Sequence, residues 1–457
     1  MSTMDKITVA RRVRIGMKIW MRKAKEFVRF DSKSLSLVLT AAYLLYYLYV
    51  RVREGQAEAI LVIGKIFRHT QFPWIRRAAT RSLLEKCKRH GTRRLGEEFL
   101  KLAGERLSGE AIRKLSRSVV EEEDRPFDRR LLILSPPRGD QKGVLIIKFT
   151  DYFKSFLTVF DMEKLCRDYV AVFEPSYSGY FDEDILCLLS VLGPVVIEAS
   201  EREDYRFIES LRSDIYPVDA GANWWVDDRV FTPLGDLSKE YDITMVAIWA
   251  DFKRHYHLFE AMSKARVKRK IALVGKPWKM TRGDIEDEAR YYGILDRFDF
   301  YEGLPQEKIN LLLNKSRCLI LLSKKEGFNK SIIEGMYAGV PVFILEGHNY
   351  GEKYRYINEE TGGYIRKGGL TSFLDDLDEI LKRYENQSPG GWIRDNVSPE
   401  IATQRLVEVM KRISSEQAVR INSRLEVKVN TPEMDYYDPE AWKRMRDSYR
   451  ALKEYLR

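Results

Sequence analysis

The segment Ser323 to Val342, SKKEGFNKSIIEGMYAGVPV, constrains the fold of this chain more than any other. Just before it, Cys318 to Leu322 (CLILL) is a short uncharged run of buried-strand type, while Ser331 to Ala338 (SIIEGMYA) has apolar residues at helical spacing. Gly327 and Phe328 therefore fall in a turn from strand to helix. The backbone N–H groups of Asn329, Lys330 and Ser331 are among the donors that open a helix without intrahelical partners, which makes the turn a ready diphosphate site. Glu326 stays on the loop and Glu334 rides on the helix. Ionised carboxylates only accept hydrogen bonds, so one suits a sugar and the other a ribose diol. A strand followed by an amphipathic helix is also common to every α/β protein, and charged flanks there usually cap or are solvated, so the flanking sequence decides the reading.

Glu326, Gly327, Phe328, Glu334, Met336, Ala338, Gly339, Pro341 and Val342 closely resemble the E-x7-E signature of the family 4 retaining glycosyltransferases, which have the GT-B fold. The resemblance extends both ways. Ile243 to Ile248 is a strand candidate, followed by Asp251-Phe252-Lys253 and a helix through Leu258; Lys253 falls where the family places a lysine on the donor diphosphate. Lys270 to Gly275 resembles the second strand with its terminal glycine, and Tyr301-Glu302-Gly303-Leu304 the loop that holds the base. Gly351 to Tyr364 is similar to the stretch whose amides approach the donor sugar, with Gly362 and Gly363 expected to supply turn conformations. Asn223 to Pro233 resembles the family's interdomain stretch, with Trp224 and Trp225 replacing its glycine. Two further departures stand out: Ile248 where an arginine is usual, with Lys276, Arg254 or Lys330 as substitutes, and Asn329 where glycine is common.

Length and composition fit a two-lobed enzyme. At roughly 150 residues per domain, 457 residues make two to three, and 44% hydrophobic residues can bury sizeable cores. Cys87, Cys166, Cys187 and Cys318 are far apart and form no CxxC pair, so neither a disulfide framework nor a zinc cluster is indicated and a reducing cytoplasmic location is the default. The expected organisation is a basic and apolar membrane-proximal segment over 1–53, a helical region over 54–128, a first Rossmann-like acceptor lobe over 129–235, a donor lobe over 236–430 and a C-terminal crossing helix over 431–457.

Net charge is +10, and residues 1–33 carry most of it: ten Lys or Arg against three acids, interleaved with Val13, Ile15, Met17, Ile19, Trp20, Phe27 and Phe30. A basic segment with an anchoring tryptophan reads as a membrane-surface element, at a cytoplasmic leaflet. Ser34 to Val50 is then free of charge for 17 residues, short of the roughly 20 a spanning helix needs. The long basic region and the lack of a small-residue cleavage site argue against a signal peptide. A buried or interfacial helix fits best, with a spanning one as the alternative; four tyrosines suit an interface. No zinc finger or other nucleic-acid motif accompanies the charge, so no nucleic-acid partner is expected.

In the first lobe Lys142 to Phe149, Tyr169 to Phe173 and Pro194 to Ala199 read as strands alternating with helices. Asp151 follows the first of them, where ligands of open sheets bind, and is a candidate for an acceptor hydroxyl or a helix cap. Glu174 to Tyr180 occupies the equivalent place after the next strand, as a sugar-stacking surface or a plain loop. Asp182-Glu183-Asp184 resembles a metal-binding DxD but opens a helix, where carboxylates favour the dipole. His255 and His257 are two apart and cannot ligate together from one helix; His348 reads as a loop residue. Trp442, Tyr449, Leu452 and Tyr455 would form the packing face of the last helix.

The resemblance implies two Rossmann-like lobes facing a central cleft, with an added N-terminal helical region. It implies transfer of a sugar from a UDP- or GDP-sugar to a glycan or lipid-linked acceptor with retention, and no metal or other cofactor. Lys253, Glu326 and Asp151 would carry the chemistry; Gly275, Lys276, Gly303, Gly327, Phe328, Asn329, Lys330, Ser331 and Glu334 would bind the donor. A nucleotide-sugar epimerase on the same scaffold and a catalytically silent membrane-associated scaffold are the other readings.

Overall fold

The computed structural model describes residues 8–70, 72–105, 107–121, 129–177, 182–199, 201–212, 214–235, 237–324, 326–347, 354–431 and 434–457. Helices come first: α1 (Val9–Glu26), α2 (Lys33–Arg53), α3 (Gln56–His69), α4 (Pro73–His90), α5 (Thr92–Gly104) and α6 (Gly109–Glu121). Their boundaries follow local chemistry. Thr8 accepts the Arg11 N–H to cap α1. Gly55, at φ +116°, breaks the chain between α2 and α3, and Pro73 starts α4 where no N–H is needed.

The first sheet has β1 (Leu131–Ser135), β2 (Gly143–Lys148), β3 (Tyr169–Glu174), β4 (Val195–Glu198) and β5 (Ile215–Val218) in sequential order. β1 is antiparallel to β2 and the other pairs are parallel. Every residue of these strands is buried, as near-continuous apolar runs require when both faces are covered. α7 (Thr150–Val159) leaves β2.

The second sheet is wholly parallel, with β6 (Tyr241–Val246), β7 (Ile271–Gly275), β8 (Phe298–Glu302), β9 (Ser316–Leu321), β10 (Val342–Leu345) and β11 (Gly362–Ile365) in the order β11-β10-β9-β6-β7-β8. The chain lays β6, β7 and β8 outward in one direction, then returns to place β9 on the other side of β6. Strand order reverses at that pair, where the loops leaving the carboxyl ends diverge and open a crevice. α8 (His255–Lys264), α9 (Arg282–Tyr291) and α10 (Lys330–Tyr337) follow β6, β7 and β9. The chain closes with α11 (Pro399–Gln417), the hairpin β12 (Lys428–Asn430) and β13 (Met434–Tyr436), and α12 (Ala441–Ala451).

Two units result. One holds α1, the turn to Ser32 and Asp228–Ser398; the other holds Lys33–Asp227 and Pro399–Arg457. The boundaries read from sequence run differently: α1 groups with the second sheet, α2 to α6 with the first, and the chain from Pro399 returns to the first. The causes are long-range. Ile15 and Ile19 of α1 pack on Tyr256, with Tyr291 and Tyr292 alongside. Arg22 pairs with Glu288 and with Asp251, Lys23 with Glu260, and Arg11 with Asp287. Four basic residues of the segment read as membrane-facing, Lys18 included, thus have carboxylate partners on the protein. In the other unit the Tyr449 hydroxyl accepts the Ile133 N–H at 3.0 Å and the Tyr436 hydroxyl donates to the Ile133 carbonyl at 2.5 Å, fastening the C-terminal segment to β1. Tyr449, Leu452 and Tyr455 are buried there, and Trp442 stacks on Tyr449 at 5.2 Å.

Candidate functional site

The crevice of the second sheet brings together residues far apart in sequence. After β6 the chain makes a single 3-10 turn, Asp251–Lys253, and Arg254 at φ +62° redirects it into α8. A left-handed arginine is uncommon and needs surrounding support. Its guanidinium supplies it, donating to Glu26 at 2.8 Å and to the Leu322 carbonyl at 3.2 Å, so the turn is tied to α1 and to the end of β9. Arg254 is thus engaged structurally and is a poor substitute for the arginine missing at Ile248. Lys253, 7% exposed, donates to Glu326 at 2.5 Å across the two loops. Glu326, 8% exposed, also accepts from the Ser323 hydroxyl.

His255, the first residue of α8, was passed over in the sequence for want of a second ligand two residues on. It is buried against Trp249, at 5.6 Å between ring centres, and its Nε2 has no hydrogen-bond partner among the described residues. Burial, with the Lys253 and Arg22 cations nearby, pushes its pKa down to about 3, so it is a neutral imidazole next to the lysine. His257, displaced around the helix, is lowered to about 4 by burial and by Arg254.

Asn329 explains itself once the loop is seen. Its side-chain oxygen accepts the Ser331 N–H at 2.9 Å and the Ser331 hydroxyl at 2.6 Å, making it the N-cap of α10. One of the three donors expected to face a diphosphate, that of Ser331, is therefore already satisfied. Gly327, Phe328 and Lys330 are half-buried in the same turn. On α10, Glu334 is buried. Burial pushes its pKa up to about 7, with the Lys330 charge pulling the other way.

The glycines have separate reasons. A side chain on Gly275 would come within 2.4 Å of the Ala247 carbonyl, so this glycine lets β7 pass the loop after β6. Gly303 turns at φ +65°, and its N–H donates to Gly275 at 2.9 Å. Lys276 is exposed on the loop that leaves β7. Gly362 and Gly363 do not make the expected turn: both lie in β11, where a Cβ on Gly362 would meet the Val342 carbonyl at 1.9 Å. Strand packing requires that glycine. Gly351 to Lys353, His348 and Ser178 to Tyr180 lie outside the described residues.

Asp151 belongs to the other unit. It is exposed in the first turn of α7, which starts from Phe149 at φ +72° with no side-chain cap, so the capping role is not the one it plays. It lines a cavity of about 820 Å³ together with Tyr152 and, from α6, Arg113, Lys114 and Arg117. The loop after β3 is largely structural. Glu174 is fully buried and paired with Lys428, Ser176 donates its N–H to Thr150 at 3.0 Å, and the Tyr177 hydroxyl donates to Asp182 at 2.9 Å. Asp182 also accepts the Asp184 N–H at 3.0 Å, and Asp184 pairs with Lys154 at 3.1 Å. No group of three metal-ligating side chains occurs among the described residues.

Sequence reasoning missed a buried charge cluster at the carboxyl ends of the first sheet. Lys148, Glu174 and Glu198 end β2, β3 and β4, and Lys428 arrives from β12. Trp225, from the stretch where two tryptophans replace a glycine, donates to Glu198 at 3.2 Å and presents its ring to Lys428 at 4.2 Å. Burial and the neighbouring Glu174 raise the Glu198 pKa well above the carboxylate range, while burial lowers that of Lys428. The available signal was three strands each ending on a charged residue.

Residues 228–388 match the family model described as Glycosyl transferases group 1. Alpha-1,3/1,6-mannosyltransferase ALG2 of Dictyostelium discoideum is 26% identical over 135 residues, 28% of this chain and 31% of that protein, so the match spans less than a third of the relative. Among solved structures, sucrose-phosphate synthase from Thermosynechococcus elongatus aligns with a TM-score of 0.46 and 14% identity over 60% of this chain and 74% of that one. Anabaena HepE in complex with UDP and glucose aligns with a TM-score of 0.44 and 12% identity over 58% and 78%. Over residues 228–388, the segment that carries β6 to β11 and the Lys253–Glu326 contact, the chain is similar to the glycosyl transferases group 1 family.

Proposed function

We propose that the chain transfers a sugar from a nucleotide diphosphate sugar to a glycan or lipid-linked acceptor with retention at the anomeric carbon, the donor lying in the crevice between β6 and β9. The observation that carries this reading is the contact of Lys253 with Glu326 at 2.5 Å, two loops meeting where strand order reverses, beside the capped start of α10. Lys253 has three donor hydrogens and Glu326 takes one, leaving others for phosphate oxygens. As the bond from the anomeric carbon to the diphosphate oxygen breaks, negative charge grows on the leaving phosphate. A fixed ammonium in a water-poor crevice stabilises that charge most where it develops. Glu326, held by both Lys253 and Ser323, is oriented to accept from sugar hydroxyls, and Glu334 from the ribose diol. The acceptor hydroxyl attacks the face the diphosphate leaves, and its proton passes to a phosphate oxygen of the departing group.

The test is release of nucleoside diphosphate from UDP- and GDP-sugars in the presence of glycan and polyprenyl acceptors, with the product's anomeric coupling read by proton NMR. Lys253→Ala should lower turnover about 100-fold or more. Turnover that needs no acceptor and yields an epimerised donor would replace this reading with the epimerase one.

A further inference from the structure

Helix α2 has its polarity reversed for a helix in water. Its buried and half-buried stripe is Ser36, Thr40, Tyr43, Tyr47 and Val50, at spacings of four and three, and the Thr40 hydroxyl donates to the Ser36 carbonyl at 2.8 Å. Tyr43, Tyr47 and Val50 pack there against Ala59 and Val62 of α3. The opposite side holds Leu37, Val38, Leu44, Leu45, Leu48 and Val52; Val38, Leu45 and Val52 are 63%, 70% and 86% exposed. A surface helix of a water-soluble protein shows the opposite arrangement, with its apolar stripe inward. Most large exposed hydrophobic residues of the described chain lie between residues 9 and 52. In the other unit α1 repeats the pattern: Ile15 and Ile19 are buried while Val13, Met17 and Trp20 face outward.

Cations frame the α2 face. Lys33 opens the helix and Arg51 and Arg53 close it, while Lys65 and Lys86 lie 5.6 and 5.3 Å from the Tyr46 and Tyr47 ring centres. Tyrosine rings with ammonium groups over their faces are the chemistry of a headgroup layer. The apolar face and its basic rim together are complementary to lipid hydrocarbon under anionic headgroups.

We propose that α2 lies in the plane of an anionic leaflet, its Val38, Leu45 and Val52 line embedded and its hydroxyl-bearing stripe held by α3. By length and mean hydropathy Lys33–Arg53 also qualifies as a span. Crossing the bilayer would pull that stripe off α3 and leave Ser36, Thr40 and two tyrosines in hydrocarbon, while uncovering Ala59 and Val62. In-plane docking keeps both contacts.

The three positions are seven residues apart and share one face, which makes orientation measurable. All four native cysteines are buried, so a cysteine placed at 38, 45 or 52 is the accessible thiol for an environment-sensitive dye. Full-length Val38→Cys, Leu45→Cys and Val52→Cys proteins, dye-labelled, are mixed with vesicles of phosphatidylcholine alone or with 30% phosphatidylglycerol, and depth is read with nitroxides placed shallow and deep in the acyl chains. The proposal expects a blue shift on the anionic vesicles and the same shallow depth at all three positions. It also expects Leu45→Glu with Leu48→Glu to weaken vesicle partitioning at least tenfold with the circular dichroism spectrum unchanged. A deep label at 45 with shallow labels at 38 and 52 would overturn it in favour of a spanning helix. No shift at any position would overturn it outright. Neither readout involves a sugar donor, so the proposed activity stands or falls separately.

Discussion

Glu334 is where sequence, burial and chemistry meet most directly. Its place in the E-x7-E spacing was readable from the residues, but its protonation was not, because that depends on how thoroughly α10 is covered. With a pKa raised by burial to about 7 from the ordinary glutamate value of 4.5, the folded protein binds a proton that the unfolded chain releases over that interval. Stability contributed at this site is therefore present below about pH 4.5 and declines as pH rises through about 7, by on the order of 3 kcal/mol in full. Glu334→Gln removes the ionisation, so urea unfolding should show the variant gaining on wild type as pH goes from 5 to 8. A constant difference across that range would place the ionisation elsewhere. His255 works in the other sense: its pKa is depressed, so what it contributes is present above pH 6.5 and is lost as pH falls toward 3. Comparing variant with wild type at each pH cancels that second contribution.

The strand, loop and helix around residues 318–338 were legible because the change of hydrophobic period lies within one short segment. Other features of the site were set by distant residues. Gly362 and Gly363 were read as turn-formers, yet β11 needs Gly362 because the Val342 carbonyl stands where a Cβ would be, a contact no local pattern encodes. Asn329, a departure from the resembled family, is the N-cap of α10. Asn329→Ala should therefore cost about 1 kcal/mol and Asn329→Gly only a few tenths, read from chemical denaturation. Equal losses would show that the hydrogen bond to the Ser331 N–H is not what the asparagine contributes. The N-terminal helix is the clearest case of incomplete legibility. Its charge excess was visible, but its acidic partners lie some 230 to 280 residues on, so which cations pair with the protein could not be read. Arg22, 14% exposed, is opposed to Glu288 at 3%. Arg22→Ala leaves that carboxylate buried without its cation and should destabilise the protein by about 3 kcal/mol. Glu288 has a pKa of about 7 even with Arg22 in place, so the loss should be larger at pH 8 than at pH 5, where the carboxyl can take a proton.

At the scale of the molecule, two sheets of mainly parallel strands and a helical N-terminal region were expected and are present, while the grouping of α1 with the second sheet and the return of the chain as early as Pro399 were not. Alternating strands and helices announce a doubly wound sheet wherever they occur; they carry no mark of which sheet a flanking helix will cover. The first sheet also runs in plain sequential order, and its strand ends converge on the Glu174, Glu198, Lys148 and Lys428 cluster. The second sheet has the order reversal, with Lys253 and Glu326 in contact beside it and Glu334 on the adjoining helix. The central claim is that this crevice holds a nucleotide diphosphate sugar. Its most direct test is a thermal-shift series with UDP-, GDP- and ADP-sugars on wild type, Lys253→Ala and Glu334→Ala. At a concentration of about 100 times the dissociation constant a bound donor adds roughly 2.7 kcal/mol, so one nucleotide class should raise the wild-type melting temperature by several degrees and leave both variants unmoved. No shift with any donor in the folded wild type, or the same shift in all three proteins, would contradict the claim.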